Sequence, residues 1–553
     1  MKSREQLGTD LISSAIARCL RCGRPSVSTT GTFRRAVTRL RHCTIGVTAC
    51  VIVVLAGCTP WRDYIHNGFK VGPNYGRAPA PVAEHWIDAS DKRVHSVTDD
   101  DSQWWTVFND PVLNGLVQNA YRQNLTLREA GFRVLQARAQ RNIAVGEFFP
   151  QRQSADGGYT RTGVSENVAN RVATPQRWFS QWSTGFTLEW ELDFWGRFRR
   201  AIESADAELD ASVENYDDVL VTLLADVATN YVEIRTADRQ LELARESLIL
   251  FREILVIPEA RYKADTNTRI PYDLARANVS QAEALIAALE IEKRQAENRL
   301  CILLGIPPQD LRPLLGQEPI PVAPIDLAVG IPADLLRRRP DVRKAERLAA
   351  AQSARIGIAE SDFYPQISLM GTLGWASQDI DVLFAQESFR GSVGPQFRWN
   401  ILNYGRILNN VRAQDAKFDA LMTDYQQTVL KANGEVENAL IWFLKSQTRA
   451  RSLATGVDAW RDAVTLAEAQ FKGGILDFVP VGYFSQNLLQ QQNEAVMAQG
   501  DVVKALIDIY RALGGGWQIR LGPGPMPAMA PPPPPDARPA EPVPPPAKVD
   551  SKT

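Results

Sequence analysis

Histidine is scarce in this 553-residue chain: His42, His66, His85 and His95 are all there are, and none lies beyond position 95. General acid–base or triad chemistry built on imidazole is thus unavailable to the rest of the chain. Cysteine is nearly as confined. Cys19, Cys22, Cys43, Cys50 and Cys58 crowd the N-terminus, and only Cys301 lies further on. Cys19-x-x-Cys22 has no second ligand pair, so neither a zinc site nor a disulfide framework is expected in the body of the protein. A phosphate-binding glycine loop and a His-Glu-x-x-His pair are missing too, and no cofactor or metal is expected. Beyond the N-terminal region no run of about 20 apolar residues occurs, which excludes a membrane-spanning helix. A basic surplus is also lacking. Net charge is −1, and residues 1–57 hold nine Lys/Arg against two Asp/Glu, leaving 53 basic and 61 acidic residues downstream. Nucleic acid is a poor partner for that remainder.

The N-terminus carries an address. Arg34, Arg35, Arg39 and Arg41 precede an apolar run, Thr44 to Ala56, that ends in Leu55-Ala56-Gly57-Cys58. A basic stretch, a short apolar core and small residues before the cut make a secretory signal over 1–57. The cysteine after those small residues resembles a bacterial lipobox, in which Cys58 is lipidated and becomes the first residue. Thr59 behind it is compatible with export to the outer membrane. The first 30 residues are superfluous to such a signal, so the true start is expected further downstream. Residues 58–103, with Pro60, Pro73, Pro79 and Pro81, should run extended over a surface.

What the chain has in abundance is long-range order. Leu220, Leu223, Val227, Asn230, Ile234, Ala237, Leu241, Ala244, Leu248, Phe251 and Leu255 alternate spacings of three and four, a sustained heptad seam. Adding 209 to each number from Val227 gives a second, more polar seam: Val436, Ala439, Phe443, Ser446, Ala450, Leu453, Val457, Trp460 and Val464. The same offset relates Trp190 to Trp399, Gly196 to Gly405, Pro271 to Pro480 and Gly305 to Gly514. The chain therefore reads as one unit built twice, over 104–320 and 321–520. In each copy a helix (Asp110-Pro111 to about Gly146, and from Pro340-Asp341) meets an aromatic-Pro-Gln turn, Phe149-Pro150-Gln151 or Tyr364-Pro365-Gln366. There the period changes to two, predicting β-hairpins over about 149–195 and 364–404. Phe186, Leu188, Trp190, Leu192 and Phe194 alternate with Thr187, Glu189, Glu191 and Asp193. Long helices follow, from Gly196 to about Ile257 (some 62 residues, about 93 Å) and from Gly405 to Lys472. Breaks at Asp265–Pro271 and Gly474–Pro480 lead into shorter return helices.

Apolar on one strand face and polar on the other suits a half-buried soluble sheet or a membrane barrel. Tryptophans near the strand ends favour the barrel. Hydrocarbon tolerates no open sheet edge, and eight strands is about the minimum closed barrel. Four strands per chain must then be pooled, and a trimer supplies twelve. The fold class expected is an α+β membrane protein: a trimeric twelve-stranded barrel continued by a long coiled-coil helical barrel.

The chain resembles the TolC-like outer membrane factors, in their lipoprotein (NodT-type) branch. The resemblance rests on Val71-Gly72-Pro73-Asn74-Tyr75, on Trp104-Trp105 with Phe108, Asp110, Pro111 and Leu113, on Leu335-Leu336-Arg337-Arg338-Arg339-Pro340-Asp341-Val342-Arg343, and on Ile356-Gly357-Ile358-Ala359 through Phe363-Tyr364-Pro365. It covers roughly 71–517. It implies a homotrimeric channel in outer-membrane lipid that docks onto a periplasmic adaptor and an inner-membrane pump to expel drugs or other small molecules. It also implies a closed periplasmic end where carboxylates converge, matched here by Asp477, although Val479-Pro480-Val481-Gly482 replaces the usual Leu-x-Val-Leu. Arg261, Tyr262, Lys263 and Asp265 occupy the equivalent turn of the first copy and are candidate adaptor contacts. Glu189, Glu191 and Asp193 are candidate lumen-lining residues, whose acidity would favour cationic or neutral passengers. Two other readings stay open: a structural coiled-coil envelope lipoprotein, and the exit duct of a protein secretion system. An enzyme using paired acids such as Asp217-Asp218, expected on an exposed helix face, would explain neither the length nor the duplication. The tail from 521 to 553, with Pro531–Pro535 and Pro544–Pro546, is expected to be disordered.

Overall fold

The computed structural model describes residues 61–522, apart from 78, 96–100, 166, 168–175, 267, 329, 331 and 333–337. Cys58, the signal, the proline-rich tail and Leu335–Arg337 lie outside the described residues. Two compact units divide between His66 and Asn67. The first contributes α1 (Trp61–His66). The second contains, in order, β1 (Val94–His95), a 3-10 stretch (Asp101–Phe108), α2 (Pro111–Gln123), α3 (Leu125–Gly146), β2 (Arg152–Gly163), β3 (Trp178–Leu192), α4 (Arg197–Lys263) and α5 (Arg269–Leu303). Then come α6 (Arg312–Leu315), β4 (Leu327–Ala328), α7 (Pro340–Ser361), β5 (Gln366–Ser377), β6 (Phe389–Arg398), α8 (Arg406–Lys472), α9 (Phe478–Ala512) and a 3-10 turn (Trp517–Leu521).

Helices α4 and α8 are 67 residues each, on the order of 100 Å at 1.5 Å per residue. Helices α5 and α9 are 35 residues each, and an offset of 209 relates both ends of both pairs. The heptad seams explain why helices so long persist. Every seam position of α4 is buried except Leu248 and Leu255, which are half-buried. Gly196 and Gly405 sit just before α4 and α8 with φ of 83° and 82°, a left-handed turn that glycine adopts without strain. At its C-terminus each of the four helices closes with the same pair of hydrogen bonds. After α5, for example, Gly305 N donates to Ile302 O (3.0 Å) and Ile306 N to Cys301 O (3.0 Å).

Four boundaries differ from the sequence expectation. The first helix is two, because Asn124 (φ −60°, ψ 127°) interrupts it and caps α3 by accepting from Leu127 N. The same side chain donates to Leu303 O (2.9 Å), so the break is held by α5, a partner remote in sequence. Helix α4 does not stop at Ile257; it passes through Pro258 to Lys263. Proline there costs about 3 kcal/mol in a free helix. Packing offsets that loss, since Pro258 is buried and Ile254 and Leu255 lie against the Phe471 cluster. Pro271 and Pro480, taken as ends of the breaks, are instead third residues of α5 and α9, where the missing N–H has no intrahelical partner anyway.

The main core lies where α2, α4, α5, α8 and α9 meet, around Trp104, Leu113, Leu224, Tyr231, Leu300, Phe443 and Leu506. Asp110 caps α2 as expected, accepting from Val112 N (2.8 Å) and Leu113 N (3.1 Å). Its other oxygen accepts from the Tyr231 hydroxyl (2.6 Å) of α4. A two-stranded parallel ladder, β1 with β4, is a small addition that periodicity does not announce.

Candidate functional site

Four strands form one antiparallel sheet in the order β2-β3-β5-β6, so the two hairpins join through β3 and β5. The register fixes the faces, because directly opposed residues point the same way. Phe186 opposes Leu373, Trp190 opposes Leu369, Leu192 opposes Ile367, and Phe397 opposes Ile367 from the other side. One face is therefore apolar across β3, β5 and β6. It is also uncovered: Phe186 is 62%, Val393 79% and Phe397 77% exposed. The opposite face is polar, with Arg152 against Glu189, Glu191 against Ser368, Ser368 against Gln396, and Gln366 against Arg398. Among the described residues β2 and β6 each pair on one side only.

The strands hand over to the helices through tryptophans. Trp190 Nε1 donates to Phe148 O (3.2 Å) and Trp399 Nε1 to Phe363 O (2.9 Å), each just before an aromatic-Pro-Gln turn, and Trp195 Nε1 donates to Pro365 O (2.9 Å) within the second turn. This junction corrects one expectation. Asp193 does not line an open face. Its carboxylate accepts from Phe198 N (3.0 Å), Arg199 N (3.1 Å) and Arg199 Nε (2.8 Å), capping α4 with its side chain 5% exposed. Glu189 and Glu191 do lie on the polar strand face, but Arg152, Arg390 and Arg398 share it, against Asp156 as a third acid. Net acidity of that face is lost.

Two of the sequence motifs prove to be two sides of one contact. Residues from Asn67 onward run along α4 and α7, and Val71-Gly72 presses on Ile356-Gly357. A Cβ on Gly72 would lie 2.3 Å from Gly357 Cα, and one on Gly357 2.8 Å from Val71 O, so both positions need glycine. Buried Arg200 ties this contact to α4, donating to Val71 O (3.0 Å) and Gly72 O (2.9 Å). The Arg339–Arg343 motif is a second fastener. Arg339 donates to both Asp341 oxygens (3.0 and 2.7 Å), to Glu435 (2.7 Å) and to Ala512 O (2.7 Å) at the end of α9. Asp217, expected on an exposed face, is fully buried, because the Trp517–Leu521 turn folds back and Arg520 grips it at 2.7 and 2.8 Å. Burial pushes the Asp217 and Asp218 carboxyls up, opposed at Asp217 by Arg520. Sequence reading missed Arg200 and Arg520, which no local pattern marks.

At the far end of the helices lie the two turns. In the first, Asp265 takes a left-handed conformation (φ 56°), and Asp265 N and Thr266 N donate to Tyr262 O and Arg261 O, both at 3.0 Å. Tyr262 stacks on Tyr272 with ring centroids 5.3 Å apart, Lys263 pairs with Glu259 at 2.6 Å, and Arg261 lies 5.6 Å over the Phe471 ring. In the second turn Gly474 (φ 74°) takes the same place, with Gly474 N on Phe471 O and Ile475 N on Gln470 O. Asp477 sits at the start of α9, exposed, and its side chain caps nothing. Ala275, Ala467, Phe471, Phe478 and Val481 pack the two tips together.

The model of the outer membrane efflux protein family matches residues 116–306 and 331–515. Nodulation protein T of Rhizobium leguminosarum bv. trifolii is 29% identical over 461 residues, covering 83% of this chain and 97% of the relative. Outer membrane protein OprJ of Pseudomonas aeruginosa is 30% identical over 484 residues, 86% of this chain and 97% of that protein. Among solved structures, the outer-membrane channel OprN aligns with a TM-score of 0.74 at 32% identity, covering 81% of this chain and 99% of OprN. With matched halves and an alignment spanning nearly the whole of each relative, the chain belongs to the outer membrane efflux protein family and is an outer-membrane efflux duct.

Proposed function

We propose that three copies pool their sheets into one twelve-stranded barrel, continued by a cylinder of twelve helices, and that this trimer is the passive exit of a tripartite efflux pump. The equal lengths of α4 and α8, and of α5 and α9, support reading the chain as a duplicated unit. The observation that carries the proposal is the sheet itself. Among the described residues it has two unpaired edges and an uncovered apolar face, and neither is tolerable in hydrocarbon unless the edges close on sister copies. Lipid covers the apolar face and water the polar one. Cys58 carries the lipid anchor. The hairpin tips meet a periplasmic adaptor through Arg261, Tyr262, Lys263, Asp265 and the second turn. There Asp477 of three copies converges on the axis as a gate that senses cations and protons. Because the polar face balances three basic against three acidic residues, the barrel itself selects weakly by charge, and selection falls to the pump. An envelope tether would need no two-faced sheet. The test is gel mobility of the detergent-extracted protein with and without heating, together with planar-bilayer conductance. A heat-sensitive trimer with discrete channel currents is expected; a heat-indifferent monomer without currents overturns the proposal.

A further inference from the structure

We propose that the far end of the β2–β3 hairpin binds the phosphate of an outer-leaflet lipid headgroup, with the Arg161 guanidinium as its centre. The inference rests on the reading of the sheet as a membrane wall. In the register of the hairpin Tyr159 opposes Trp182, Arg161 opposes Ser180, and Gly163 opposes Trp178. These six positions share the apolar face of Phe186, since Phe186 lies four residues from Trp182 on the same strand. A cation thus stands on the side given over to hydrocarbon, two residues from the end of β2 that lies away from the helices. The Arg161 side chain takes part in no ion pair or hydrogen bond among the described residues.

Its surroundings form a frame. On one side the Tyr159 and Trp182 rings meet at 4.6 Å between centroids. On the other the Trp178 indole lies over Gly163, so close that a Cβ there would come within 2.5 Å of the ring. Between these two aromatic rungs the register places the Arg161–Ser180 pair, and the Tyr159 and Ser180 hydroxyl oxygens lie 3.0 Å apart. A planar fork with two hydroxyls beside it matches the oxygens of a phosphate. Aromatic rings on either side suit the boundary between headgroups and acyl chains. The second hairpin has no such site. Its matching end carries Trp375 and Phe389 on this face, while Arg390 opposes Gly374 and so points to the polar side. The occupant is a lipid rather than free phosphate, because the surface leading to Arg161 is the exposed apolar one.

Native mass spectrometry of the full-length protein in mild detergent tests this with bis-phosphorylated lipid A and its dephosphorylated form as probes. The wild type should retain the phosphorylated lipid several-fold better. Arg161→Gln should lower retention about tenfold, and Arg161→Lys, which keeps charge without the fork, should fall between. The pair Tyr159→Phe with Ser180→Ala removes only hydroxyls and should lower retention several-fold in a folded protein. Equal retention of the two lipids, equal retention by wild type and Arg161→Gln, or full displacement by millimolar inorganic phosphate overturns the proposal. Lost lipid selectivity in a heat-sensitive trimer sinks this site alone, whereas a wild type without that trimer sinks the barrel reading.

Discussion

The turn between α4 and α5 and the turn between α8 and α9 close with the same hydrogen bonds at positions 209 residues apart. Their side chains have parted company. The first tip exposes Ile270 (71%) but is otherwise charged and internally paired: Lys263 pairs with Glu259, Arg269 with Asp273 (3.0 Å), and Tyr262 with Tyr272. The second has Asp477 as its sole charge between Lys472 and Glu494. It presents Ile475, Val479 and Tyr483 at spacings of four, with Ile475 81% and Tyr483 60% exposed. The backbone turn recurs without its side-chain chemistry, and the apolar second tip is the surface that the proposed adaptor contact would cover. The tips differ chiefly in charge: Asp265, Arg269, Asp273 and Arg276 follow Lys263, whereas Asp477 alone follows Lys472 before Glu494.

The comparison can be broken at its shared core. Phe471 is buried between the tips, 6.0 Å from Phe478 and under Arg261. Phe471→Ala should cost about 3–5 kcal/mol locally, seen as faster hydrogen exchange in both turns; a change confined to one turn would show that the tips are independent. Next comes docking. Ile475→Asp should cut cross-linking to the adaptor about tenfold, the equivalent of about 1.4 kcal/mol, whereas Arg261→Ala should cut it less than about threefold. The reverse ranking would make the charged tip the anchor.

A smaller and opposite pair of effects lies in the backbone. Gly474 has φ 74° and nothing within 4 Å of a built Cβ, so Gly474→Ala isolates the strain of the left-handed region, about 1 kcal/mol destabilising. Asp265→Gly at the matched place should stabilise by about 0.5 kcal/mol. Thermal melting of the two variants reads the sign, and shifts in the same direction would refute the equivalence of the turns. Smallest of all, Glu259→Gln removes the carboxylate that raises the exposed Lys263 ammonium, and should leave the melting midpoint unchanged.

Much of the wall was legible because its signals are periodic. The seam from Leu220 to Ala244, with Phe251, is buried as its spacing predicts, and the alternation in β3 became a two-faced sheet. Asp193 shows where periodicity misleads. It continues the polar alternation of Glu189 and Glu191, yet the chain has already left the strand and the carboxylate meets the first N–H groups of α4. Pro258 shows the converse, a local stop signal overruled by burial. Asp217 looked like a solvated helix residue because its partner, Arg520, lies about 300 positions away.

By itself the sequence determined the presence and repeat spacing of the long helices, the hairpins and the faces of the strands. Those depend on hydrogen bonds within a few residues and on which side of a repeating backbone is apolar. Only the tertiary structure decided that β3 pairs with β5, that Gly72 rests on Gly357, and which carboxylates are spent on caps and buried pairs. The sheet pairing, the glycine contact and buried pairs such as Asp217 with Arg520 join segments separated by more than a hundred residues, and their stability comes from surfaces that exist only once the helices have packed.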